Sequence, residues 1–172
     1  METSLLQGIN EGQPPSEMGG RGSTCLEGGC RTDMARVLVV DDEPDVLRLC
    51  HVNLEQEGYD VIEAPDGDQA IAEAFAQSPA AIVLDLMLPT IDGYEVLRRL
   101  REDARTGTIP IVVLTALAQV EDRRRCWRTG ADDVVVKPFS PETLSEALRR
   151  VLALDADARR RGREDALRRL EP

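Results

Sequence analysis

Five side chains could together meet a metal ion and a phosphate, and each stands directly after or within one residue of a short apolar run. Asp41 and Asp42 follow Val37-Leu38-Val39-Val40, Asp85 follows Ala81-Ile82-Val83-Leu84, Thr115 follows Val112-Val113-Leu114, and Lys137 follows Val134-Val135-Val136. Three gathered carboxylates repel: at ~5 Å and an effective dielectric of ~20, each pair costs about 3 kcal/mol. A divalent cation removes that cost. Magnesium suits such a place, because it takes one or two carboxylates and completes its octahedron with water and phosphate oxygens. Lys137 is the one lysine among 21 Lys and Arg residues. A chain so biased toward the planar guanidinium keeps a single compact ammonium, the point charge that suits a phosphoryl group.

Residues this far apart in sequence meet only if a fold gathers them. Apolar runs at 37–40, 59–63, 81–84, 109–114 and 134–136 alternate with segments of helical spacing at 44–57, 66–77, 93–103, 118–129 and 141–152. Four of the runs are mostly apolar throughout, as expected for parallel strands covered on both faces. Val46, Leu49, Cys50 and Leu54 predict the buried face of the first helix, with Gly58 as its stop. Ser140 and Pro141 open the last helix. Five strands alternating with five helices predict an α/β fold, a doubly wound five-stranded parallel sheet with right-handed crossovers. Ligands of such sheets bind beyond the carboxyl ends of the strands. All five candidates fall there.

Composition bounds the rest. The 172 residues allow one ordinary domain with some excess. A net charge of −11 argues against a nucleic-acid surface. No apolar run reaches the roughly 18 residues needed to span a bilayer, and the start lacks a signal peptide, so the cytoplasm is the expected compartment. Residues 1–33 hold seven of the 13 glycines and no aromatic, so a disordered arm is expected there, with Met34 as an alternative start. Cys25 and Cys30 match no zinc spacing and read as free thiols. The stretch 153–172 carries six arginines and five acids and reads as a charged helical extension of the fifth helix, with Gly162 as its weak point. From the length of either flank, no DNA-binding domain is expected. His51 reads as an exposed bystander on the far face of the first helix, Trp127 as packing, and Arg123-Arg124-Arg125 as a solvated face.

The blocks Val-Leu-Val-Val-Asp41-Asp42-Glu43-Pro44, Leu84-Asp85-Leu86-Met87-Leu88-Pro89 with Asp92-Gly93, Leu114-Thr115-Ala116, and Gly130-Ala131-Asp132-Asp133 with Lys137-Pro138-Phe139 resemble a response-regulator receiver domain. The likeness runs in the right order over about residues 35–152, so 34–152 is read as a stand-alone receiver of a two-component system. It implies a flavodoxin-like fold with strand order 2-1-3-4-5. Helices one and five would cover one face and the other three the opposite face, keeping Cys50 and Cys126 apart.

The resemblance also implies roles. Asp85 would be the phosphoacceptor, a carboxylate nucleophile, supplied by a histidine kinase or phosphotransfer protein. Thr115 and Lys137 would meet phosphoryl oxygens. Magnesium would sit on Asp42 directly, on Asp41 through water, on Asp85 and on the main-chain carbonyl of Met87. Asp41 or Asp42 could also cap the helix that begins near Pro44. Catalysis would be positioning and charge neutralisation, with slow self-dephosphorylation and no general base. The output would be a changed protein-binding surface for a downstream protein target, with a phosphorylation-linked dimer through the fourth and fifth helices as one form. No direct DNA binding and no membrane contact are expected. Two rivals differ in class. A magnesium-dependent aspartyl phosphatase wants Asp-x-Asp after the first strand, whereas Asp41 and Asp42 are adjacent. A phosphorylation-independent adaptor normally has lost site residues, and none is missing.

Three positions carry expectations of their own. Receivers commonly place Tyr or Phe three residues before the lysine; here that position is Val134, which has few χ1 options and no ring to turn inward. The moving element is therefore expected in residues 116–128. Met87 and Leu117, two past the aspartate and two past the threonine, offer no side-chain hydrogen bond to an attacking water, so a long-lived phosphoryl group is expected.

Overall fold

In the computed structural model, residues 34–116 and 119–170 are described. The expected arm at 1–33, with Cys25 and Cys30, lies outside them, as do Leu117 and Ala118. Strands β1 (Arg36–Val40), β2 (Asp60–Ala64), β3 (Ala81–Asp85), β4 (Ile111–Thr115) and β5 (Asp133–Val136) form a parallel sheet in the order β2-β1-β3-β4-β5. Helices α1 (Pro44–Gln56), α2 (Gly67–Gln77), α3 (Gly93–Glu102), α4 (Val120–Thr129) and α5 (Pro141–Leu152) alternate with the strands, and α6 (Ala156–Leu170) follows. The expected fold class and strand order are both observed.

Local chemistry sets the element ends. The carboxylate of Asp66 accepts from the Gln69 N–H at 2.8 Å and starts α2, and the Asp92 carboxylate accepts from the Tyr94 N–H at 3.1 Å and starts α3. Gly130, with φ of 115°, closes α4 in the left-handed conformation that a glycine adopts without steric cost. Two apolar layers sandwich the sheet. Leu47, Cys50 and Leu54 of α1 join Leu144, Ala147 and Leu148 of α5 on one face. Ala70 and Ala74 of α2, Val96, Leu97 and Leu100 of α3, and Cys126 of α4 lie on the other. Cys50 and Cys126 are buried free thiols in different layers.

Three expectations need correction. The buried stripe of α1 is Leu47, Cys50 and Leu54, whereas Leu49 is 44% exposed; β1 and α5 lie against α1 and take the residues at this i, i+3, i+7 spacing. His51 sits beside that stripe, half-buried, with Nδ1 2.5 Å from Glu63 and Nε2 3.3 Å from Glu55, so it ties α1 to β2. The extension does not continue α5, and Gly162 does not break it. Helix α5 stops at Leu152, and α6 opens where Asp155 accepts from the Ala158 N–H at 2.7 Å. The Arg159 guanidinium turns back to the carbonyl of Val151, in the last turn of α5, and to that of Leu154 in the link to α6.

Candidate functional site

Register aligns the candidates. Val40 of β1 pairs with Leu84 of β3, so the next residues, Asp41 and Asp85, stand side by side at the carboxyl edge. Thr115 pairs with Val136, so Lys137 follows one step beyond it. The carbonyl of Thr115 accepts from the Lys137 N–H at 2.8 Å, fixing the two ends together.

The carboxylates of Asp41, Asp42 and Asp85 offer oxygens within 4.8 Å of one another. Asp41 and Asp85 are buried and Asp42 is exposed. Lys137 Nζ donates to Asp41 Oδ2 and to Asp85 Oδ2, both at 2.8 Å. It also lies 3.6 Å from Glu43 Oε1, a neighbour that the sequence reading did not single out. Each buried carboxylate is held at its other oxygen by a main-chain amide: Asp41 Oδ1 by the Glu43 N–H at 2.9 Å, and Asp85 Oδ1 by the Met87 N–H at 3.1 Å. The Met87 side chain is largely exposed.

Burial raises the pKa of Asp41 above the usual carboxylate range, and the Lys137 hydrogen bond opposes that rise. Burial also works against the Lys137 ammonium, but the bonds to Asp41 and Asp85 outweigh it and hold its pKa above the ordinary lysine value. The ammonium is therefore charged at neutral pH. Three carboxyl groups gathered about one ammonium make an acid-rich, partly buried place. A hard divalent cation with oxygen ligands matches both the charge and the donor set.

Gly93 is required by close approach. A Cβ there would stand 2.4 Å from the Asp85 carbonyl oxygen and 2.4 Å from Leu86 Cα. The Gly93 N–H donates to the Leu86 carbonyl at 3.1 Å, so α3 begins against the end of β3. The Asp92-Gly93 dipeptide was the sequence signal for this, although the packing reason lies in the fold. Asp132 is a second feature that sequence left without a role. Its side chain is 1% exposed and accepts from Arg101 Nη2 at 2.7 Å, from the Ile111 N–H at 2.9 Å and from Arg163 Nη1. Burial lowers the Arg101 pKa to about 10, with the Asp132 charge opposing and Arg163 and Arg159 adding to the fall.

Residues 37–149 match the family model of the response regulator receiver domain. The chain is 48% identical over 121 residues to the DNA-binding dual master transcriptional regulator RpaA of Synechocystis sp., covering 70% of this chain and 49% of that protein. It is 43% identical over 117 residues to the alkaline phosphatase synthesis transcriptional regulatory protein PhoP of Bacillus subtilis, covering 68% and 48%. The chain thus spans about half the length of the curated relatives it matches. Among solved structures, the chemotaxis response regulator CheY4 of Vibrio cholerae aligns with a TM-score of 0.66 at 35% identity, over 69% of this chain and 98% of that one. The receiver domain of sensor histidine kinase PA1611 from Pseudomonas aeruginosa, with magnesium coordinated in its active-site cleft, aligns with a TM-score of 0.66 at 34% identity over 70% and 99%.

These relatives correct the expectation of no direct DNA binding. That expectation rested on a net charge of −11 and on flanks too short for a DNA-binding domain, and both count only the residues of this chain. Relatives named as transcriptional regulators, one of them as DNA-binding, carry about as much polypeptide again outside the match. No described helix is long and apolar enough to cross a membrane.

Proposed function

This chain belongs to the response regulator receiver domain family, and we propose that Asp85 is its phosphoacceptor, charged by a histidine kinase phosphohistidine and read out as a changed protein-binding surface. One observation carries the assignment: Lys137 Nζ bridges the buried Asp41 and Asp85 at 2.8 Å each, with Asp42 beside them. The receiver is taken as residues 34–152, with 153–172 as a helical extension and 1–33 outside it. By likeness to the regulators named above, the signal ends at DNA through an output domain.

In the proposed step an Asp85 carboxylate oxygen attacks phosphorus, forming an acyl phosphate as the phosphorus–nitrogen bond to the donor imidazole breaks and the imidazole takes up a proton. Asp42, Asp41, Asp85 and the Met87 carbonyl would hold magnesium, which when bound neutralises charge on the phosphoryl oxygens. Lys137 stays protonated and moves from carboxylate to phosphoryl oxygen, and Thr115 supplies a hydroxyl to another. The Met87 N–H holds one Asp85 oxygen and orients the carboxylate. Later hydrolysis returns phosphate and the free carboxylate.

Incubation with acetyl phosphate and magnesium, followed by intact mass measurement, tests the reading. One phosphoryl group is expected on the parent and none on Asp85→Asn. A full adduct on that variant would sink the assignment. Continuous turnover of an aryl phosphate, rather than a single stable adduct, would favour the aspartyl phosphatase instead.

A further inference from the structure

Helix α6 is held in an unusual way. None of its 15 residues is buried, yet it packs chiefly against α4. Its anchors are polar. Arg163 and Arg159 face the buried Asp132, Arg159 Nη2 donates to the Thr108 carbonyl at 2.6 Å, and Arg124 of α4 donates to the Leu170 carbonyl. Between α6 and the α4–α5 side lies a half-open cleft of about 400 Å³, lined in part by Trp127, Arg150, Val151 and Leu154 and, from α6 itself, by Ala166 and Leu170. Arg124 Nε is buried at this junction with no hydrogen-bond partner. A helix seated beside an open cleft, with none of its residues fully buried, opens at little cost in buried surface. Opening would also give Arg124 Nε water, relieving an unmet donor.

The opposite side of α4 reaches the phosphoacceptor loop. The Arg125 guanidinium lies 3.7 Å from the centroid of the Tyr94 ring, and its Nη2 is 3.8 Å from Asp92 Oδ2. Tyr94 Oη lies 3.7 Å from the buried Cys126 Sγ. Asp92 and Gly93 begin α3 against the end of β3, with no slack at Gly93. Displacement of the segment after Asp85 therefore reaches α4 through Asp92 and Tyr94, without passing through Val134.

We infer that α6 is an internal cover on α4 that phosphorylation of Asp85 releases. The inference rests on the phosphoacceptor reading above. Coupling of this kind is reciprocal: whatever loosens α6 must favour the phosphorylated state by the same factor.

Hydrogen exchange on the full chain, with and without acetyl phosphate and magnesium, tests this while intact mass is read on the same samples. Exchange in residues 156–170 should rise at least tenfold on phosphorylation, and Trp127 emission should shift to the red. The Arg159→Gln, Arg163→Gln double variant should exchange fast in both states and bind beryllofluoride several-fold more tightly than the parent. A sample that carries the phosphoryl group but keeps its exchange in 156–170 unchanged overturns the cover and leaves the phosphoacceptor reading intact. A parent that takes no phosphoryl group overturns both. Should the double variant fail to fold, the parent measurement alone decides.

Discussion

Lys137 is the charge that lets Asp41 and Asp85 share a buried edge before any cation arrives. Replacing it with methionine keeps the stem and removes the ammonium. Lys137→Met should lose about 3 kcal/mol of stability, the usual cost of leaving buried carboxylates without their cation. Magnesium should raise the melting temperature of this variant more than that of the parent; an equal rise in both would contradict the proposed metal site. In the proposed cycle, single side chains would also set the rate of hydrolysis. Met87, largely exposed at the mouth of the site, presents a thioether and no hydrogen bond for an attacking water. The phosphoryl group on purified protein should persist for many minutes, and a half-life of seconds, followed by phosphate release, would refute this. The site was readable from sequence because its acids and its one lysine all sit at strand ends. What sequence could not supply was the bridge itself. Nothing in the spacing of Lys137 says that it reaches Asp41 and Asp85 equally, or that Glu43 stands near.

Asp132 and Asp133 look alike in sequence, and only packing separates them. Asp133 meets the exposed Arg150, whereas Asp132 is enclosed with Arg101 and Arg163. Asp132→Asn keeps the shape but leaves the Arg101 guanidinium unbalanced in a buried place. A loss of about 3–5 kcal/mol is expected, a large part of the 5–15 kcal/mol that holds most domains together. Urea unfolding would measure it, and a loss below about 1 kcal/mol would mean the cluster is solvated. Alternating strands and helices were legible because the runs were nearly all apolar. The face of α1 was misread because Leu47 and Leu49 are equally apolar, and the choice between them is made by α5 and the sheet. The break between α5 and α6 was missed because it comes from the Asp155 cap and the reach of Arg159 rather than from glycine at 162.

For the chain taken together, the open question is where motion goes when the site is charged. Val134 is partly buried against the α2–α3–α4 layer and has no ring to swing. Asp92, Tyr94 and Arg125 link the Asp85 loop to α4 instead. Amide shifts with and without beryllofluoride should therefore be larger across residues 116–128 than at Val134; silence in 116–128 would contradict the account. All of this depends on one carboxylate accepting the phosphoryl group. The most direct check is to phosphorylate the full chain with acetyl phosphate and magnesium, reduce the acyl phosphate with borohydride, and locate the product by peptide mass mapping. Homoserine at position 85, with every other aspartate intact, is the expected result. Homoserine at another aspartate, with residue 85 unchanged, would contradict it.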